Sequence, residues 1–175
     1  MKVTLIRHTS VAVASGTCYG QTDVPLRDTF EQEAFNTLQA LAGMHFDKVY
    51  TSPLSRCVQL ATYCGYPDAE RDKRLMEINF GEWEMQRFEE IKDPRIQLWY
   101  QDYHHVAATG GESFAMQYQR VAAFLDELRK ENYTHVALFV HGGVIVCAQI
   151  YARILKPEEA FERLTPYGGV VEIEI

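Results

Sequence analysis

The sequence lacks any uninterrupted apolar run of about 18 residues, so no segment is read as crossing a membrane. A secretory leader is not legible either. MKVTLIRHTS reaches Arg7 and His8 after too short an apolar stretch for an h-region, and a cytoplasmic protein is expected. There is no basic surplus: 17 Lys and Arg stand against 24 Asp and Glu, a net charge of −7. A general grip on nucleic acid needs a basic face and is disfavoured. The same acidic field weakly repels phosphate esters, so an anionic ligand would need a local cluster of Arg and His. The four cysteines, Cys18, Cys57, Cys64 and Cys147, form neither CxxC nor a zinc-finger spacing with histidine, so buried reduced thiols and no metal site are expected. No repeat, low-complexity tract or Gly/Ser/Pro linker divides the chain, and residues 1–175 are read as one domain.

What is present suffices for a core. Of 175 residues, 47% are hydrophobic and 23% charged, which excludes a disordered tail, a collagen-like fibre and a disulfide-built miniprotein. Lys2 to Ile6 reads as a short buried strand. Phe30, Ala34, Leu38 and Leu41 recur at helical spacing after Thr29, and Gly43 closes the pattern. A second strand ends at Tyr50, and Ser52-Pro53 reads as the N-cap and first position of a helix. Residues 86–105, rich in aromatics and broken by Pro94, read as two short helices. Phe114, Tyr118, Val121, Leu125 and Leu128 mark an amphipathic helix. VALFV (136–140) is a continuous apolar run of the kind buried on both faces of a parallel sheet. A helix from Val144 to about Arg153 follows, then VVEIEI (170–175), an alternating strand nearer the sheet edge. Strands alternating with helices predict an α/β domain, a three-layer αβα sandwich.

Three features then share one placement. Arg7-His8, Thr51-Ser52-Pro53 and His141-Gly142-Gly143 each follow a predicted strand. Ligands of open α/β sheets sit beyond the carboxyl ends of the strands, and helix N-termini there favour an anion. Arg7 and Arg56 could clamp such an anion with their planar forks, flanked by His8 and His141. Taken singly, each has a plainer reading: a satisfied strand-end histidine, a surface ion pair, a routine helix start.

These residues also carry a resemblance. LIRHT (5–9), TSPLSRCVQLA (51–61), LMEINFGEWE (75–84), GGES (110–113) and VHGGV (140–144) resemble, in order, the motifs of the histidine phosphatase superfamily, also called phosphoglycerate-mutase-like. The resemblance implies that family's mostly parallel central sheet and a two-step phosphoryl transfer. His8 would be the nucleophile that becomes phosphohistidine, its other ring nitrogen held by a backbone carbonyl. Arg7, Arg56 and His141 would bind the phosphoryl oxygens. Glu77 would be general acid and then base, which predicts an apolar shelter for a carboxyl that must hold a proton. No metal or other cofactor is implied, and the partner is a small-molecule phosphate ester.

Two positions depart from the family pattern: Thr9 stands where glycine is usual after RH, and Met85 follows Trp83-Glu84. Thr9 could add a hydroxyl near the phosphate. Glu82 and Glu84 read as solvated or structural, Glu112 as marginal to the site, and Gly142 as a point of close backbone approach. GTCYGQTDVPL (16–26) resembles the α-ribazole phosphatases, enzymes that remove the 5′-phosphate of α-ribazole phosphate in cobalamin nucleotide-loop assembly. Tyr19, Gly20 and Gln21 would then lie on the substrate side. The 86–105 insert is expected near the site mouth, where Trp99, Tyr100 and Tyr103 either stack on a flat base or pack the insert down. The alternatives are a phosphatase of sugar phosphates or nucleotides, a phosphoglycerate mutase (for which the chain looks too trimmed), a non-catalytic phospho-ligand binder, and a metal hydrolase using His8, His45, His104, His105, His135 and His141. Against the last, adjacent His104 and His105 would point apart on a helix.

Overall fold

The strand and helix signals assemble into a five-stranded sheet with helices on both faces. The computed structural model describes residues 1–162 and 164–175. In chain order the elements are β1 (Lys2–Arg7), α1 (Phe30–Ala40), β2 (Lys48–Thr51), α2 (Ser55–Tyr63), β3 (Glu70–Arg71), α3 (Arg95–Gln101), α4 (Phe114–Leu128), β4 (His135–Val140), α5 (Gly142–Tyr151) and β5 (Val170–Glu174). The sheet order is β3-β2-β4-β1-β5. All neighbours are parallel except β5, which runs antiparallel to β1 at the edge. The short strand β3 has no sequence pattern of its own.

VALFV is continuously apolar because it is covered twice. Val136, Leu138 and Val140 pack with Val121, Phe124 and Leu125 of α4 and Val144 and Ile145 of α5, while Ala137 and Phe139 pack with Ala34 of α1 and Cys57 and Leu60 of α2. Burial of each large side chain among these contributes about 1.5–3 kcal/mol, so truncating Leu138, Phe139 or Leu125 to alanine costs about 2–5 kcal/mol. Ile173, with Val171 and Ile175, turns the inner face of β5 to the α4/α5 side. A third cluster lies apart from the sheet, where Cys18, Trp83, Ile91, Ile96 and Ala108 are buried beneath Phe80, Phe88 and Trp99. All four cysteines are free and buried.

Several boundaries differ from expectation. Helix α2 begins at Ser55, not at Ser52-Pro53. The Ser52 hydroxyl is taken by His141, and the carboxylate of Asp23 caps the helix instead, accepting from Ser55 N at 3.0 Å and Ser55 Oγ at 2.7 Å. Helix α5 starts two residues early, at Gly142, with His141 at its N-cap. The aromatic segment forms one single-turn 3₁₀ helix, Phe88–Glu90, and one α-helix, α3. His104 and His105 lie in a turn after α3 rather than on a helix, His104 stacked on Tyr103 and His105 bound to Asp102. Among the described residues, no helix is long and apolar enough to cross a membrane.

The topology decides where chemistry can sit. Because β1, β4 and β2 are parallel neighbours, their carboxyl ends open on one side of the sheet. The ladder runs one step past the strands, with His8 N donating to Val140 O (3.1 Å) and Ser52 N to Phe139 O (2.9 Å). His8, Ser52 and His141 are thereby fixed side by side.

Candidate active site

His8 is buried, and its Nδ1 lies 2.7 Å from the carbonyl oxygen of Thr9. A carbonyl can only accept, so Nδ1 carries the proton and Nε2 presents a bare lone pair. Burial, the charge of Arg56 and the charge of Arg7 lower the pKa of His8 to about 3, against the Thr9 bond, which pulls it up. The ring is neutral at physiological pH. His141, fully buried, sits with its ring centroid 5.2 Å from that of His8, and its Nε2 is 2.8 Å from Ser52 Oγ. Burial, followed by the charge of Arg56, holds His141 well below the usual histidine range.

The two arginines come from different elements, Arg7 from the end of β1 and Arg56 from the start of α2. Arg7 donates through Nη1 to Thr165 O at 2.6 Å, and the Tyr167 ring covers its guanidinium at 4.1 Å. Gly142 makes room for it, since a Cβ there would stand 3.2 Å from the Arg7 guanidinium carbon. Arg56, on the first turn of α2, is fully buried and donates to the carbonyls of Gly20 and Thr22. Its guanidinium lies 5.5 Å from the Tyr19 ring centroid. Nε of Arg7, Nε of Arg56 and Oγ1 of Thr9 are buried with no partner. An unpaired buried donor costs about 1–3 kcal/mol, so three around one histidine make a ready place for an anion.

Glu77 is half-buried and held by three N–H groups. Ile78 N (2.9 Å) and Gln117 Nε2 (2.8 Å) donate to Oε1, and Gly143 N (3.1 Å) donates to Oε2. The surroundings of Glu77 are therefore polar as well as apolar, with Ile78 and Phe114 lining the same cavity. Behind it, Arg120 donates to the carbonyls of Arg74, Met76 and Glu77 and is itself paired with Glu112 at 2.8 Å. Glu112 thus acts on the site through Arg120, not by contact.

A cavity of about 410 Å³ opens over His8 and Glu77. Of the expected site residues, Arg7, His8, Tyr19, Glu77 and Gly142 line it. Arg56 and His141 are buried beside His8. Thr9, Gly20 and Gln21 back the site rather than line it: the carbonyls of Thr9 and Gly20 hold His8 and Arg56, and Gln21 Nε2 donates to Glu77 O at 3.1 Å. Glu84 is structural. It accepts from the backbone of Gly20, Gln21, Thr22 and Phe80, and although burial alone would raise its pKa, these bonds lower it. Phe80, Phe88, Trp99, Tyr103 and Phe114 give the cavity an aromatic wall. Trp99 and Tyr103 both line the cavity and pack the insert, whereas Tyr100, 53% exposed, packs edge-on against Trp99 and does not line the cavity. Among the described residues, no three His, Cys, Asp or Glu side chains group as a metal site.

Sequence reasoning missed Gln117, Tyr167 and the partnership of Ser52 with His141. Gln117 falls on the buried face of the α4 stripe, an informative place for an amide. Tyr167 carries no signal beyond the glycines that follow it.

Comparison with known proteins agrees with this geometry. A profile of the histidine phosphatase superfamily (branch 1) matches residues 3–175. Phosphoserine phosphatase 1 of Hydrogenobacter thermophilus is 31% identical over 147 residues, which is 80% of this chain and 70% of that protein. The crystal structure of the α-ribazole phosphatase from Shigella flexneri superposes with a TM-score of 0.90 at 25% identity, covering 100% of this chain and 91% of that one. A mycobacterial glucosyl-3-phosphoglycerate phosphatase shares the fold, with a TM-score of 0.83 at 21% identity over 98% of this chain and 88% of its own. The chain belongs to the histidine phosphatase superfamily, branch 1.

Proposed function

We propose that the protein hydrolyses the phosphomonoester of α-ribazole 5′-phosphate in the cytoplasm, through a phosphohistidine formed on His8. The observation that carries the mechanism is the Nδ1 bond from His8 to Thr9, which leaves Nε2 neutral and bare toward the cavity. In the first step Nε2 attacks phosphorus and the P–O bond to the leaving group breaks. Arg7, Arg56 and His141 offset the charge on the phosphoryl oxygens, and Glu77 passes its proton to the departing oxygen. In the second step Glu77 takes a proton from water, which attacks the phosphohistidine, releases phosphate and restores the Nε2 lone pair. Tyr19 and Gly142 line the pocket for the ester, and Thr9, Gly20 and Gln21 support it from behind.

The choice of substrate rests on the aromatic wall. Trp99 and Tyr103, from the insert at 86–105, line the cavity and suit a flat base such as dimethylbenzimidazole. Phosphate release from α-ribazole 5′-phosphate in EDTA, beside O-phosphoserine, sugar phosphates, nucleotides and phosphoglycerates, tests the reading. A kcat/KM at least tenfold above the others, about 1.4 kcal/mol of transition-state discrimination, is expected. A flat profile rejects the named substrate and keeps the phosphohistidine. No release from any ester rejects the hydrolase.

A further inference from the structure

The loops that carry Tyr19 and Tyr167 are built alike. Thr165 supplies a carbonyl to Arg7 while Tyr167, two residues on, covers the same guanidinium. Gly20 and Thr22 supply carbonyls to Arg56 while Tyr19, beside them, faces that guanidinium. Each loop therefore holds one arginine by a carbonyl and by an aromatic face. The two halves meet through the tyrosine hydroxyls, which are 2.9 Å apart. The Tyr167 ring also stands 5.5 Å from the His8 ring, centroid to centroid, so the bonded pair lies beside the nucleophile. A second cavity of about 340 Å³ is lined by both tyrosines and shares Tyr19 and Thr17 with the first, so the hydroxyl pair stands at a cavity wall and not in a packed core.

We infer that Tyr19 and Tyr167 are positioning residues whose shared hydroxyl bond sets the spacing of Arg7 and Arg56 across His8 and so the grip on a phosphoryl group. The inference rests on the reading of Arg7 and Arg56 as phosphate ligands. Neither tyrosine transfers a proton in this scheme. Burial and the Tyr167 bond both push the Tyr19 phenol up, which keeps it an O–H at working pH. Phenylalanine at either position keeps the ring over the arginine and deletes only the bond.

The test is a double-mutant cycle on Tyr19→Phe and Tyr167→Phe, read by the affinity for inorganic phosphate in calorimetry, by kcat and KM on an ester, and by Tm. Each single variant is expected to weaken phosphate binding and raise KM by about 3- to 10-fold, the worth of one hydrogen bond, with Tm unchanged and a smaller fall in kcat. The double variant should equal either single one, because both remove the same bond. Additive losses, or phosphate affinity at the wild-type level in both singles, overturn the inference. Phosphate binding is read without turnover, so the two readings fail separately. A wild-type protein that shows the coupled phosphate binding but splits no ester keeps the positioning pair and loses the hydrolase, whereas one that binds no phosphate loses the pair.

Discussion

The carbonyl of Thr9 accepts the Nδ1 proton of His8, the residue before it in the chain, at 2.7 Å. One backbone group thus selects the tautomer of His8, the proposed nucleophile, and does so without using the side chain at position 9. His8→Ala should lower phosphate release by at least about a thousandfold while the far-UV circular dichroism spectrum is retained. Turnover at the wild-type level in that variant would remove His8 from the mechanism.

Acid should destabilise the protein for a specific reason. His8 has a folded pKa near 3 and an unfolded value of 6.5, and His141 lies on the same side. Below pH 6.5 the unfolded chain takes up protons that the native rings refuse, so stability is full above that value and falls toward about 3. The slope approaches about 1.4 kcal/mol per pH unit for each histidine. Urea unfolding of wild type and His8→Gln at pH 7 and about pH 5 should show a shallower loss in the variant. Parallel losses would mean that His8 is protonated in the folded protein.

If Glu77 protonates the leaving oxygen, Glu77→Gln should slow alkyl phosphates far more than p-nitrophenyl phosphate, whose leaving group scarcely needs a proton. A gap of about 10²-fold between the two substrate types is expected from the usual worth of general acid catalysis. Equal losses would reassign the carboxylate.

Gly143 gives a sharper probe of the same carboxyl. A Cβ there would run into Glu77 Oε1 and would stand 2.9 Å from Gln117 Nε2, both side-chain ends able to move. Gly143→Ala should therefore fold, with Tm down by only a few degrees, and lose about tenfold or more in kcat as Glu77 is pushed off its N–H donors. A variant with full activity would show that the three-donor seat of Glu77 does not matter.

The parts of this fold legible in the sequence are those where one periodicity has one cause. VALFV reads as a twice-covered strand, and the Phe114 to Leu128 stripe reads as a helix on one face of the sheet. The placement of Arg7, His8, Ser52 and His141 after three strands brought them together once the strands proved parallel and adjacent. The start of α2 was misread because Ser52 is a good N-cap by type, and nothing local tells that its hydroxyl turns to His141 while Asp23 reaches across from another loop. The same limit hid Tyr167 and Gln117. Each matters through a contact more than a hundred residues away or through a helix face, and such contacts leave no spacing in the chain.

The buried run Gly142–Ala148 has a consequence for how the site comes apart. His141 and His8 are attached to β4, β1 and a helix whose residues Gly142–Ala148 are all buried, where amide hydrogens are expected to exchange only on near-global unfolding. Tyr19, Glu77 and the Thr165 to Tyr167 segment hang on loops joined by side-chain bonds, which open at far lower free energy. The loops that seat Arg7 and Arg56 and carry Glu77 are therefore expected to open before the segment that holds His8 and His141. In rising urea, phosphate release should vanish while the central strands are still protected from exchange.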